Sequence, residues 1–82
     1  AVETRLQAFL EDLPQGGQLL DFGCGTGGFL KLAREQGFSA QGVELDQAVR
    51  LLAERNSGCA VRSLDDVEAS GDRFDVIHLG DV

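Results

Sequence analysis

The fold of this chain is decided by residues 19–30, which read LLDFGCGTGGFL. The apolar run at 19–22 is typical of a short strand, and the glycines that follow it predict a tight turn. Helical spacing then begins, with apolar side chains at Phe29, Leu30, Leu32 and Ala33. Glycine has no Cβ, so such a loop bends sharply and lets its backbone approach a ligand. The stretch therefore predicts a strand, a glycine loop and a helix.

The segments on either side continue this alternation. Residues 1–13 predict an amphipathic helix that ends at Pro14 and Gly16-Gly17, and its apolar face consists of Val2, Leu6, Phe9, Leu10 and Leu13. After the glycine loop we expect a strand at 40–45, a helix at 47–55 with Asp46 as N-cap, a strand at 59–62, an acidic loop, and a strand FDVIHL at 74–79. The last run is typical of a strand covered on both faces.

These elements predict an α/β fold. Short β-α-β connections favour a Rossmann-like parallel sheet with right-handed crossovers and helices on both faces. We expect about four strands in the order 3-2-1-4. The chain then forms one domain, with a leading helix at 1–14 and a core at 18–82.

Composition excludes several classes of function. The formal net charge of −7 opposes binding to nucleic acid or to an anionic membrane surface. Cys24 and Cys59 are far apart in the sequence, which fits reduced thiols better than a disulfide framework or a metal site. No apolar run reaches the roughly 20 residues that span a bilayer. We therefore expect a cytoplasmic protein without a metal.

Two features predict a nucleoside-containing ligand. The loop satisfies both GxGxxG, through Gly23, Gly25 and Gly28, and GxGxG, through Gly23, Gly25 and Gly27, so the loop alone is ambiguous. Glu44 lies 21 positions after Gly23, at the expected end of the second strand, where an acidic side chain accepts hydrogen bonds from ribose hydroxyls. The two features together indicate an adenosine-type ligand.

The charge around the loop distinguishes between adenosine ligands. Asp21 precedes the loop, and five further acidic residues are expected near the same strand ends: Glu44, Asp46, Asp65, Asp66 and Asp81. Such a rim repels the pyrophosphate of NAD or FAD. It favours S-adenosylmethionine, which has no phosphate and carries a sulfonium and an ammonium group.

At this point the sequence resembles the class I S-adenosylmethionine-dependent methyltransferases, especially the group that acts on small molecules. The resemblance rests on LLDFGCGTGGFL, GVELD and FDVIHLGDV and covers Gln18 to Val82. It implies methyl transfer to a small-molecule acceptor. It also implies that Asp21 lies beneath a methionine-binding loop formed by Gly23, Cys24, Gly25, Thr26 and Gly27.

The same resemblance assigns the remaining cofactor contacts. Glu44 would bind the ribose hydroxyls and Leu45 would pack against the adenine. The adenine amino group would meet the segment Ser63-Leu64-Asp65-Asp66, with the contacting residue left open among Ser63, Asp65 and Asp66. Leu79 and Gly80 would line the cofactor near the transferred methyl group.

The chain departs from this family because it stops after the fourth strand. We therefore expect a partial domain and assign no catalytic residue. The strand at 74–79 would lie at an open sheet edge, which predicts a homo-oligomer. Two other functions remain open: a non-catalytic nucleotide-binding or interaction module, and the start of an NAD-dependent oxidoreductase. Cys24 is interpreted as a space-filling residue, and His78 as a packed or edge-facing histidine or as a proton-transfer group.

Overall fold

The computed structural model describes residues 10, 11, 13 and 16–80. The strands are β1 Gln18–Phe22, β2 Ser39–Val43, β3 Ala60–Arg62 and β4 Val76–Leu79, and the helices are α1 Gly28–Glu35, α2 Gln47–Ser57 and α3 Leu64–Ser70. Most of the predicted leading helix lies outside the described residues. Within it, Leu10 and Glu11 are helical, and Leu10 is fully buried.

The four strands form one parallel sheet in the order β3-β2-β1-β4. The α/β fold class and the strand order expected from the sequence are confirmed. Asp21, on the central strand β1, has Gly42 of β2 on one side and His78 of β4 on the other. The carboxyl ends of all four strands meet at the same edge of the sheet, and the glycine loop leaves β1 at that edge.

Helices cover both faces of the sheet because adjacent residues of a strand point to opposite sides. Leu19 packs on the α1 side, in a buried cluster with Leu10, Phe29, Ala33 and Phe38. Leu20 packs on the α3 side, in a cluster with Val43 and Val67. A further cluster joins α1, α2 and β3 and consists of Cys24, Leu30, Ala53, Cys59 and Val61. The expected coverage of both faces is thus observed.

Helix α2 begins at Gln47, as the sequence predicts, and ends at Ser57, two residues beyond the predicted end at Arg55. The Asp46 carboxylate accepts a hydrogen bond from the Val49 N–H at 3.1 Å, which confirms Asp46 as the N-cap. Gly58 then adopts a left-handed conformation, with φ of 72°, and its N–H donates to the Glu54 carbonyl. Glycine adopts this conformation without the steric cost that a side chain adds.

Helix α3 replaces the acidic loop that the sequence predicts between the third and fourth strands. The Ser63 hydroxyl accepts from the Asp66 N–H at 3.2 Å and caps the helix. Asp65 and Asp66 occupy the first turn, where negative charge interacts favourably with the helix dipole. Leu64 and Val67 have the spacing that turns both toward the core. The core therefore contains an additional helix between β3 and β4.

Strand β4 differs from its predicted environment. Its composition is typical of a strand covered on both faces, yet Ile77 is 60% exposed and Leu79 is 64% exposed. Within the described part of the chain, β4 pairs only with β1 and so lies at one edge of the sheet.

None of the helices in the described residues is sufficiently long and apolar to cross a membrane.

Candidate cofactor site

The glycine loop, residues 23–27, is held at the carboxyl end of the sheet by backbone hydrogen bonds. The N–H groups of Gly23 and Cys24 both donate to the Val43 carbonyl, at 2.9 and 3.1 Å. Gly25 and Gly27 have φ angles of 55° and 90°, in the left-handed region. This conformation is costly for residues with a Cβ, so the glycine pattern in the sequence follows from the backbone path.

Close packing against neighbouring elements is a second reason for glycine. A Cβ on Gly27 would lie 2.8 Å from the backbone carbonyl oxygen of Ala53 in α2. The Asn56 side chain, also on α2, donates to the Thr26 carbonyl at 3.0 Å. A Cβ on Gly25, in contrast, would meet no atom within 4 Å. The loop is therefore fastened to α2 through Thr26 and Gly27, while Gly25 borders open space.

Beneath the loop, Asp21 is a buried carboxylate that is only 1% exposed. Its Oδ1 lies 2.8 Å from Nδ1 of His78. The imidazole ring of His78 stacks on the ring of Phe29, with centroids 3.9 Å apart and planes 14° apart. Burial raises the pKa of the Asp21 carboxyl above its ordinary value of 3.8, and the hydrogen bond and charge of His78 partly oppose this shift.

Gly80, which follows β4, lies next to Asp21 and the glycine loop. Gly80 donates its N–H to the Phe22 carbonyl at 2.8 Å. A Cβ on Gly80 would lie 2.7 Å from the Gly23 carbonyl oxygen and 3.1 Å from Oδ1 of Asp21. Gly80 therefore touches both the loop and the buried carboxylate. Leu79 precedes it and is largely exposed.

Glu44 lies just beyond the end of β2 in a loop with several internal hydrogen bonds. Its carboxylate accepts from the Asp46 N–H at 3.0 Å. The Arg50 guanidinium donates through Nη1 to the carbonyl oxygens of Glu44 and Leu45, at 2.7 and 2.8 Å. The Leu45 side chain is 84% exposed at the tip of this loop. The loop is thus shaped by Arg50 and presents an apolar side chain beside a carboxylate.

The expected adenine-contacting segment begins at the end of β3. The Glu44 N–H donates to the Arg62 carbonyl at 3.2 Å, which places Ser63 beside the β2 loop. Ser63 caps α3, Leu64 packs against the Leu20 cluster, and Asp65 is exposed on the first turn of α3. In this segment, the Leu64 side chain thus packs partly against the core, whereas Asp65 is exposed to solvent.

Cys24 follows β1 within the loop and is buried. Burial, together with the nearby carboxylates of Asp21 and Glu44, raises the pKa of its thiol to about 11. A thiol with such a pKa is protonated at neutral pH and is a poor nucleophile. A Cβ on Gly42 would lie 2.7 Å from the Cys24 Sγ, so this thiol fills the space between the loop and β2.

The structure brings Asp21, the glycine loop and Gly80 into direct contact, and Glu44 is close enough to affect the Cys24 thiol. Leu45 and Asp65 extend into solvent around this centre. Nowhere among the described residues do three or more His, Cys, Asp or Glu side chains form a group suited to a metal ion.

Sequence reasoning missed two interactions of this site. The contact between Asp21 and His78 depends on the register of β1 and β4 and leaves no local signal. The hydrogen bonds from Arg50 depend on the fold of the loop before α2. The capping pattern Ser63-Leu64-Asp65-Asp66 was, however, a readable signal for α3, because a serine followed three positions later by an acidic residue is typical of a helix start.

Comparison with known proteins identifies the fold more closely. A family model for the methyltransferase domain matches residues 1–82. No curated protein matches the sequence significantly. Among solved structures, an S-adenosylmethionine-dependent methyltransferase from Thiobacillus denitrificans, in complex with S-adenosyl-L-homocysteine, is 26% identical with a TM-score of 0.74, and the match covers 98% of this chain and 36% of that one.

Two further structures give similar matches. A TehB-like S-adenosylmethionine-dependent methyltransferase from Corynebacterium glutamicum is 29% identical with a TM-score of 0.68, over 88% of this chain and 42% of that one. A sugar N-methyltransferase from Streptoalloteichus is 33% identical with a TM-score of 0.69, over 92% of this chain and 32% of that one.

The chain thus spans less than half of the length of each of these three structures. The three matches cover 88%, 98% and 92% of this chain and agree with the resemblance in residues 18–82. Since the family model extends over all 82 residues, the chain belongs to the methyltransferase domain family.

Proposed function

We propose that this chain is the cofactor-binding part of an S-adenosylmethionine-dependent methyltransferase. The observation that carries the proposal is a buried carboxylate, Asp21, lying under a glycine loop and touching Gly80. The structure from Thiobacillus denitrificans, which matches 98% of this chain, contains S-adenosyl-L-homocysteine. In the full protein, residues 1–82 would form part of a larger methyltransferase domain, with 1–14 as the leading helix.

The charge of the site supports this cofactor over a dinucleotide. Glu44 places negative charge beside the loop, and Asp21 adds to it when its carboxyl is ionised; both carboxylates raise the pKa of the Cys24 thiol. A pyrophosphate would be repelled there, whereas the sulfonium and ammonium groups of S-adenosylmethionine would be attracted. The family assignment likewise does not favour an NAD-dependent oxidoreductase.

The proposed contacts run along the carboxyl edge of the sheet. Gly23, Cys24, Gly25, Thr26 and Gly27 would hold the methionine portion above Asp21. Glu44 would accept hydrogen bonds from the ribose hydroxyls, and its fixed loop reduces the entropy lost on binding. The remaining contacts would come from Leu45 at the adenine ring, Ser63, Leu64 or Asp65 at the adenine edge, and Leu79 with Gly80 near the methyl group.

The bound cofactor would supply an activated methyl group. The chain's own residues would orient it and exclude water, which is how positioning contributes to a transfer reaction. We propose a small molecule as the methyl acceptor, since the net charge of −7 opposes nucleic acids. Cys24 and Cys59 are buried free thiols, which are typical of proteins in a reducing compartment. We therefore propose that the protein is cytoplasmic.

The proposal is tested by calorimetric titration of the chain with S-adenosylmethionine, S-adenosyl-L-homocysteine and NAD. We expect micromolar binding of the first two ligands and none of NAD. Asp21→Ala and Glu44→Gln should each weaken binding at least tenfold. Glu35→Gln, at the far end of α1 from the loop, is the matched control and should bind normally. The proposal would be contradicted if NAD bound more tightly than S-adenosylmethionine. It would also be contradicted if the folded chain bound none of the three ligands.

We also propose that these 82 residues, studied by themselves, associate with a second copy through the edge of β4 that no other strand of the described residues pairs with. An unpaired strand edge with exposed apolar side chains is prone to strand addition, and Ile77 and Leu79 supply those side chains. Sedimentation at high micromolar concentration should show a dimer or larger species, which Ile77→Lys should weaken. A strictly monomeric wild-type profile would contradict this.

A further inference from the structure

Asp21 and His78 form a partly buried pair, and the proposed function gives the histidine no role. The carboxylate is 1% exposed, whereas the His78 side chain is 24% exposed at the edge of the site. The Nδ1 to Oδ1 distance of 2.8 Å is that of a hydrogen bond. The Phe29 ring stacks on the imidazole ring and restricts its orientation.

Two groups in such close contact titrate as a unit. With one proton, the pair has no net charge, whichever of the two residues holds the proton. Without that proton, the pair carries a single negative charge, and the Asp21 carboxyl that would bear it is buried. A buried, uncompensated negative charge is costly, and a cationic ligand close to it offsets that cost. The charge of the pair therefore depends on both pH and ligand.

Resting on the proposed function, we propose that His78 is a positioning residue for the cationic methionine end of the cofactor, and that the Asp21–His78 pair releases a proton when this end binds. His78 fixes the carboxylate through Nδ1. It also lets the site hold a neutral pair when empty and a negative counter-ion when the sulfonium and ammonium groups arrive. Ligand affinity and proton affinity are then reciprocally coupled.

Among the residues that the structure describes, this pair is the main titrating unit beneath the loop. Apart from Asp21 and His78, the strands β1, β2 and β4 contain no titratable side chain. Helix α1 contributes three charged residues, all exposed: Lys31, Arg34 and Glu35. Cys24, with a pKa of about 11, stays neutral, and the half-buried Glu44 adds negative charge that favours a proton on the pair. Asp81 lies outside the described residues.

The direction of the effect follows from the charges. Below the titration of the pair, the neutral form attracts a cation weakly. As pH rises, the pair becomes negative and affinity for a cationic ligand increases. Release of one proton on binding corresponds to about a tenfold increase in affinity per pH unit. A nucleoside without a positive charge should show no such increase.

The test is calorimetry on the full chain between about pH 5.5 and 7.5, the range in which imidazoles titrate. Titrations in two buffers of different ionisation enthalpy count the protons released. We expect S-adenosylmethionine to release up to one proton, S-adenosyl-L-homocysteine to release fewer because it lacks the sulfonium, and 5′-methylthioadenosine to release none. The ammonium group of the ligand contributes equally in every variant.

His78→Asn is the decisive variant. Its side-chain amide keeps a hydrogen-bond donor near the position of Nδ1 but does not titrate. We expect this variant to bind S-adenosylmethionine more weakly than the wild type and to release fewer protons on binding, because the Asp21 carboxyl is then the only titrating member of the pair. Glu35→Gln should retain the wild-type dependence. A structural role alone would lower thermal stability in His78→Asn and leave proton release unchanged, which would overturn the inference.

His78 is the only histidine in the sequence, so its ring signals can be followed directly by NMR. Addition of S-adenosylmethionine should move its titration to lower pH. An unchanged titration on a ligand that binds would overturn the inference while leaving the proposed function intact. Failure of S-adenosylmethionine to bind at any pH would overturn both.

Discussion

Substitution of Gly27 by alanine tests how the glycine loop is fastened to the domain. The new methyl group would lie 2.8 Å from the Ala53 carbonyl oxygen and 3.2 Å from its Cα, both backbone atoms of α2. An alanine at the φ of 90° also costs roughly 1–2 kcal/mol of conformational strain. Relief of the clash requires the loop to move away from α2, and such overpacking typically costs about 1–3 kcal/mol.

Gly27→Ala should therefore lower the free energy of unfolding by about 2–5 kcal/mol. This is a large part of the roughly 4–12 kcal/mol expected for 82 folded residues. The assay is urea denaturation followed by far-UV circular dichroism. If Gly27→Ala is too unstable for a complete curve, the loss of its folded baseline relative to the wild type gives a lower limit.

Two neighbouring glycines provide matched controls. Gly25→Ala has left-handed strain but no atom within 4 Å of the new methyl group, so it should lose only about 1–2 kcal/mol. It should nevertheless weaken S-adenosyl-L-homocysteine binding, because the methyl would occupy the open side of the loop. Gly28→Ala has neither strain nor a close neighbour and should retain or slightly increase stability. Equal destabilisation by Gly25→Ala and Gly27→Ala would refute the reasoning.

Three further outcomes are expected. Arg50→Met removes the donors to the carbonyl groups of Glu44 and Leu45 and should weaken S-adenosyl-L-homocysteine binding by roughly tenfold in calorimetry, with an unchanged affinity counting against this role. Burial raises the pKa of Asp21, so the native state binds this proton more readily than the unfolded chain, and the stabilisation from neutral Asp21 is lost as pH rises through the raised pKa. Asp21→Asn should accordingly have a higher urea midpoint than the wild type at neutral pH, with the difference disappearing in acid; a lower midpoint at neutral pH would show that the ionised pair is stabilising. The Cys24 thiol, with a pKa of about 11, should react slowly with iodoacetamide near neutral pH in the native chain and rapidly in urea, and equally fast reaction in both states would contradict its burial.

Local patterns in the sequence were sufficient for most of the backbone. The apolar run at 19–22, the glycines after it and the spacing of Phe29 and Leu30 predicted β1, the loop and α1, because each signal depends on residues close together in the chain. Asp46 was identified as an N-cap for the same reason. Alternating strands and helices with short connections then left the order 3-2-1-4, since right-handed crossovers exclude most other arrangements.

Helix α3 shows where local interpretation was incomplete. Its seven residues are too few for a clear apolar period, and the acidic residues suggested a solvated loop. The helix forms because Ser63 caps it and Val67 fits the core beside Leu20 and Val43. Packing of an apolar face, rather than intrinsic propensity, stabilises so short a helix.

By itself, the sequence determined the fold class, the glycine loop and the acidic character of the expected cofactor site. These properties reside in contiguous residues and in net charge. The tertiary structure alone decided which side chains meet beneath the loop. Asp21 and His78 are 57 positions apart in the sequence. Oδ1 of Asp21 and Nδ1 of His78 come within 2.8 Å of each other only because β1 and β4 pair in a particular register. A shift by one residue would turn His78 to the other face of the sheet, since side chains alternate along a strand.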